Sequence, residues 1–157
     1  MAVKIVTDST SDIPKEVAKK LGLTVVPLNV NFGTETFKDN VTMSADDFYT
    51  RLTSGGQLPS TSQPSPGEFL EVYDEIGKDA DGIVSVHVSA RESGTYNSAI
   101  QAKAQTNAEC PIEVIDSESF SMGLGLIAIK AAQDVNDGAG FNDVVANINE
   151  SKGRAEC

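Results

Sequence analysis

Short β-branched runs alternate with segments of helical spacing along this chain, and that alternation limits the folds open to it. "VKIVT" (3–7), "GIVSVHV" (82–88) and "IEVID" (112–116) are too short and too apolar for surface helices. Each leads into a polar turn and then a stretch with apolar residues three and four apart. A buried strand, a crossover helix and a second buried strand form a βαβ unit, whose strands pair in parallel. The pattern predicts an α/β fold, a mainly parallel sheet flanked by helices.

The punctuation between elements agrees. Asp12 is placed to cap the first helix, with Pro14 in its first turn and Gly22 as its stop. "LTVVPLNVNF" (23–32) reads as one extended segment, at an edge or kinked at Pro27. Residues 32–40 turn back as the antiparallel exception. "SADD" (44–47) and Ser65-Pro66-x-Glu68 are helix starts of the capping-box kind. "QLPSTSQPSPGEF" (57–69) reads as a rigid polar loop up to that second cap. A helix is expected over 94–106, a longer one up to Gly138, and a last one from 142 onward.

In open parallel sheets, ligands bind beyond the carboxyl ends of the strands. Three predicted strands end there in hydroxyl-rich turns: "TDSTSD" (7–12), "SARESGT" (89–95) and "DSESFS" (116–121). The loop "STSQPS" (60–65) adds a fourth just before a helix. Ser, Thr and Asp at such places are first of all caps. Together they also form a rim of hydroxyls and free helix N–H groups that suits a singly charged anion such as a carboxylate. Ser93-Gly94-Thr95 is the sharpest candidate, because glycine lets a ligand approach the backbone. Asp8, Asp12 and Asp116 are placed to face the same rim, with capping or turn bonding as the simpler role.

Composition narrows the partners. Twelve Lys and Arg against 23 Asp and Glu leave a net charge of −11. That sign repels phosphate backbones and anionic lipid, which argues against nucleic acid and stable membrane insertion. Cys110 and Cys157 are far apart, without metal-ligand spacing, and read as free thiols of a cytoplasmic protein. "GLGLIA" (123–128) matches a dinucleotide fingerprint only formally. It lies beyond the tight turn that motif needs and reads as a small-residue packing face. The single histidine, His87, sits inside a predicted strand, a structural position. A small α/β hydrolase or phosphoryl or acyl transferase using Ser93 or His87 stays open as the second reading.

"KIVTDSTSDIP", "VVPLNV", "STSQPSPGEF", "VHVSARESGTYNSA" and "VIDSESFSMGLGL" occur together and in this order. The set resembles the N-terminal lobe of the DegV family of bacterial fatty-acid-binding proteins, over nearly all of residues 1–157. The resemblance implies a non-enzymatic carrier that holds a long-chain fatty acid such as palmitate in a tunnel between two lobes, with no cofactor and no metal. Thr61 and Ser93 would hold the carboxylate, with Ser62, Gly94 and Thr95 close by. The carrier would present the acid to a fatty acid kinase. The family's second lobe is absent from this sequence, so half of the tunnel wall is expected here.

Overall fold

The computed structural model describes residues 2–152. β1 (Ala2–Asp8), α1 (Lys15–Leu21), β2 (Leu23–Val26), β3 (Asn29–Phe32), β4 (Glu35–Lys38), α2 (Ala45–Thr53) and β5 (Ser60–Ser62) form the first part of the chain. α3 (Pro66–Ile76), β6 (Ala80–His87), α4 (Thr95–Lys103), β7 (Ile112–Asp116), α5 (Ser121–Asn136) and α6 (Phe141–Lys152) follow. β1, β2, β6 and β7 make one parallel sheet in the order β2-β1-β6-β7. The expected α/β class and parallel sheet are both present.

Strand alternation sorts the side chains into two cores. Val3, Ile5, Val84 and Val86 point to one face, where Leu124, Ile127 and Ala128 of α5 and Val144 and Ile148 of α6 cover them. Val6, Ile83 and Val114 point to the other, against Phe69 and Tyr73 of α3 and Ala99 and Ala102 of α4. A sheet buried on both faces has near-continuous apolar strands, as these are. Small residues allow the closest contacts. A side chain at Gly125 of α5 would overlap the carbonyl oxygen of Ser11, and one at Gly82 would strike the ring of Phe141. The "GLGLIA" glycine at 125 is therefore a packing residue.

The extended segment 23–32 is two strands in different sheets. Pro27 divides it: Leu23–Val26 pairs with β1, while Asn29–Phe32 leaves to form a small antiparallel sheet, β4-β3-β5. The antiparallel exception thus belongs to a separate sheet. The polar loop 57–69 carries a strand that hydroxyl-rich composition concealed. β5 pairs Ser62 with Asn29 and Thr61 with Val30. Asp12 does not cap α1, whose N-cap is Pro14 without a side-chain bond. Asp12 instead ends the single helical turn Ser9–Ser11 in a left-handed conformation, φ 52°. Both capping boxes form, Ser44 with Asp47 and Ser65 with Glu68. α4 stops at Lys103, short of 106, and α5 ends before Gly138, φ 96°. Cys110 is a free thiol; Cys157 and the last expected helical residues lie outside those described.

Candidate carboxyl-binding cavity

Beyond the carboxyl ends of β1 and β6, six stretches of chain line an open cavity of about 620 Å³. The turn after β1 contributes Ser9, Thr10 and Asp12, and β5 contributes Thr61 and Ser62. Ser93 and Gly94 come from the entry to α4, and Phe120 and Ser121 from the start of α5. The small sheet thus turns the "STSQPS" strand toward the rim of the large one. Four of the five predicted site residues line this one space. Thr95, the fifth, is fully buried behind Ser93. Its hydroxyl lies 2.9 Å from that of Ser93, and its N–H donates to Ser93 Oγ at 3.2 Å. Thr95 orients Ser93 without facing the cavity.

Gly94 has an ordinary backbone, φ −75°, so it is not there for conformation. A Cβ at this position would overlap the side-chain amide of Gln63, which also lines the cavity. Asp12 accepts from the Ser121 hydroxyl at 2.6 Å, which ties the β1–α1 turn to the start of α5. Asp116 is occupied by turn bonding, accepting from the N–H of Ala90 and of Glu118. It is absent from the lining. Among the described residues, the charged side chains that line the cavity are Asp12, Asp39 and Glu92, with no lysine or arginine. A neighbouring cavity of about 460 Å³ shares Ser9, Asp12 and Asp39, and has Ile13, Val25 and Val41 among its apolar walls.

Under the cavity floor runs a buried polar chain. The Tyr73 hydroxyl donates to Ser85 Oγ at 2.8 Å, and Ser85 Oγ lies 2.6 Å from His87 Nε2. His87 Nδ1 lies 3.0 Å from Asp8 Oδ2, which also accepts from the N–H of Val88 at 3.0 Å. Asp8 Oδ1 accepts from both the N–H and the hydroxyl of Thr10. Burial works to raise the Asp8 carboxyl, but the bonds from His87, Thr10 and Val88 outweigh it and hold the group below the usual carboxylate range. Burial pushes the Tyr73 phenol well up.

Ser85–His87–Asp8 has the connectivity of a hydrolase triad, but all three side chains are fully buried and Ser85 already accepts from Tyr73. The ring of Phe69 stands edge-on to the imidazole, 4.9 Å between centroids. Ser93, which does face the cavity, is bonded to Thr95 and not to His87. The sequence missed this chain because Asp8 and His87 are 79 positions apart. The available signal was an acid at the end of one buried strand and a histidine near the end of another.

The family model described as "Uncharacterised protein, DegV family" matches residues 2–157. The chain belongs to the DegV family. A DegV domain-containing protein of Caldanaerobacter subterraneus is 38% identical over 149 residues, which are 95% of this chain and 52% of that protein. The crystal structure of DegV from Bacillus subtilis, described as a fatty acid binding protein, superposes with a TM-score of 0.92 at 34% identity. That match covers 98% of this chain and 54% of the other. A stearic acid-binding protein from Eubacterium ventriosum matches with a TM-score of 0.86 at 30% identity, over 94% and 52% of the two chains. This DegV chain therefore spans about half the length of these relatives. Among its described residues, no helix is long and apolar enough to cross a membrane.

Proposed function

We propose that this chain binds a long-chain fatty acid non-covalently, with the carboxyl end in the 620 Å³ cavity. The observation that carries the reading is convergence. Thr61, Ser62, Ser93 and Gly94 come from separate parts of the chain and line one space. The solved relatives described as fatty-acid-binding proteins favour the same ligand class. Hydroxyls and helix-terminal N–H groups supply donors for a carboxyl group without a clamp of cationic side chains.

The tail supplies most of the affinity. Each buried methylene contributes about 0.8 kcal/mol, so a dozen amount to roughly 10 kcal/mol before association costs. Phe120 at the cavity, 51% exposed, and Leu126 on α5, 61% exposed, offer apolar surface for that purpose. In the proposed protein, a second lobe of the size of the relatives' further half completes the tunnel. Binding to these residues alone is then weaker, because one side of the tail stays in water. The protein acts as a cytoplasmic carrier without catalysis of its own, and presents the acid to a fatty acid kinase. The buried triad-like chain and the lack of a base on Ser93 speak against the hydrolase reading.

Titration with palmitate, followed by displacement of a fluorescent fatty acid, tests the proposal. Thr61→Ala combined with Ser93→Ala should weaken binding and leave the circular dichroism spectrum unchanged. Each hydroxyl contact is worth about 1 kcal/mol to a neutral partner and about 1.5–3 kcal/mol to a charged one. Unchanged affinity in the double variant would remove the headgroup assignment.

A further inference from the structure

We infer that Thr10, held as a hydrogen-bond acceptor by the buried carboxylate of Asp8, makes the cavity select the protonated, neutral form of a carboxylic acid. The inference rests on the fatty-acid reading above and adds the charge state of the ligand.

An ionised carboxylate has lone pairs only, so every partner of Asp8 must donate to it. Thr10 has one hydroxyl proton and gives it to Asp8 Oδ1. The same counting makes His87 Nδ1–H the donor to Asp8, while the Tyr73 hydroxyl donates to Ser85 and Ser85 Oγ lies against His87 Nε2. With its proton turned inward, Thr10 keeps only lone pairs for the cavity it lines.

The surrounding charges act in the same sense. Among the described residues, the titratable groups facing the cavity are Asp12 from the β1–α1 turn, Asp39 after β4 and Glu92 before α4. Ser121 from α5 has its hydroxyl committed to Asp12, and β3 and β5 present no titratable side chain to the space. Lys15 and Lys19 line the neighbouring cavity instead, and Lys38 is paired with Glu68. A carboxylate here would set its lone pairs against those of Thr10, among three acidic side chains and above the buried charge of Asp8. A neutral acid fits both walls. Its carbonyl oxygen accepts from a hydroxyl of Thr61, Ser62 or Ser93, and its O–H donates to Thr10 Oγ1. Binding then carries a proton, and affinity falls as pH rises.

Palmitate enriched in carbon-13 at the carboxyl carbon reads the charge state directly when bound to the 157-residue chain. The bound resonance is followed from about pH 5 to about pH 9. The expected apparent pKa lies at least about one unit above the ordinary carboxyl range of about 4–5, a tenfold preference for the neutral acid. Thr10→Ser, which keeps the hydroxyl, should preserve that shift, and Thr10→Val should return it to the ordinary range. A bound carboxyl that stays ionised across the range overturns the inference, as does a Thr10→Val protein that titrates like the parent. The parent titration decides the matter even if Thr10→Val fails to fold. The absence of any bound resonance with palmitate in large excess over the protein would refute the fatty-acid reading for these residues, and the inference with it.

Discussion

The hydroxyl of Ser121 donates to the carboxylate of Asp12 at 2.6 Å, and both residues hold left-handed backbones, φ 51° and 52°. Non-glycine residues pay about 1–3 kcal/mol for such conformations, which persist where the surroundings fix them. Here the two strained positions face each other at the cavity, one at the end of the β1–α1 turn and one at the start of α5. The bond between them fixes the spacing of two of its walls.

Substitution of Ser121 should therefore invert the usual helix ranking. Ser121→Ala removes the bond and keeps the strain, and should destabilise the fold by about 0.5–1.5 kcal/mol. Ser121→Gly removes the same bond but relieves the backbone, and should be the more stable of the two by about 1 kcal/mol. In an ordinary helical position glycine is worse than alanine by about that amount. Urea unfolding of both variants checks the order, and an alanine variant as stable as the glycine one would show that the latch carries no strain.

Thr7 lies fully buried on β1, and its hydroxyl has no hydrogen-bond partner among the described residues. An unpaired buried hydroxyl costs about 1–3 kcal/mol relative to water. Thr7→Val keeps the shape and removes the polar atom. It should raise the stability by about 1 kcal/mol, read as a higher urea midpoint with an unchanged slope. A lowered midpoint would mean that the hydroxyl is satisfied in solution.

The parallel sheet and its helices are legible because burial on both faces imposes continuous apolar strands, and "VKIVT" (3–7) or "GIVSVHV" (82–88) can hardly be read otherwise. Thr61, Ser62, Ser93 and Gly94 are singled out by the resemblance of their motifs, and they line one cavity; the rule for strand ends predicts where Ser93 and Gly94 lie. β5 was not legible. Ser60–Ser62 has the composition of a loop and is a strand only because β3 offers it a ladder. Pro27 signals an edge or a kink within one strand, but nothing local says that the chain divides into two strands and changes sheets there. Asp12 has the chemistry of a cap, and its left-handed backbone and its bond to Ser121, 109 positions away, follow from tertiary packing alone. His87 reads as a structural position and is fully buried, while its partner Asp8 follows only from the pairing of β1 with β6.

Asp8→Asn should be among the most damaging substitutions. The asparagine amide keeps one acceptor oxygen and puts an NH2 in place of the other, so donor faces donor either at Thr10 or at His87 and Val88. The loss should be about 3 kcal/mol or more, as for other broken buried pairs. Its pH dependence has a definite sign. The folded carboxyl lies below its ordinary value of 3.8, so its stabilisation is complete above that pH and is lost as pH falls through the folded value. The stability gap between the parent and Asp8→Asn should be flat near neutrality and shrink in acid. A gap that widens in acid would contradict an ionised Asp8.

Gly94 and Gln63 should separate affinity from stability. The backbone of Gly94 suits alanine, φ −75° and ψ 2°, so Gly94→Ala should cost little in folding. The new methyl would occupy the place of the Gln63 amide, the far end of a flexible side chain. That amide can move only by rotating, and Gln63 lines the same cavity as Ser93 and Thr61. Gly94→Ala should therefore weaken palmitate binding about tenfold or more, near 1.4 kcal/mol, while the urea midpoint stays close to the parent. Removing the obstruction should restore binding. Gln63→Ala alone should have a modest effect, and the Gly94→Ala, Gln63→Ala protein should bind nearly as well as Gln63→Ala. The cycle then gives a coupling of about 1 kcal/mol or more between two residues in contact. Additive losses in the double variant would mean that Gly94 serves the ligand directly and that its contact with Gln63 is incidental.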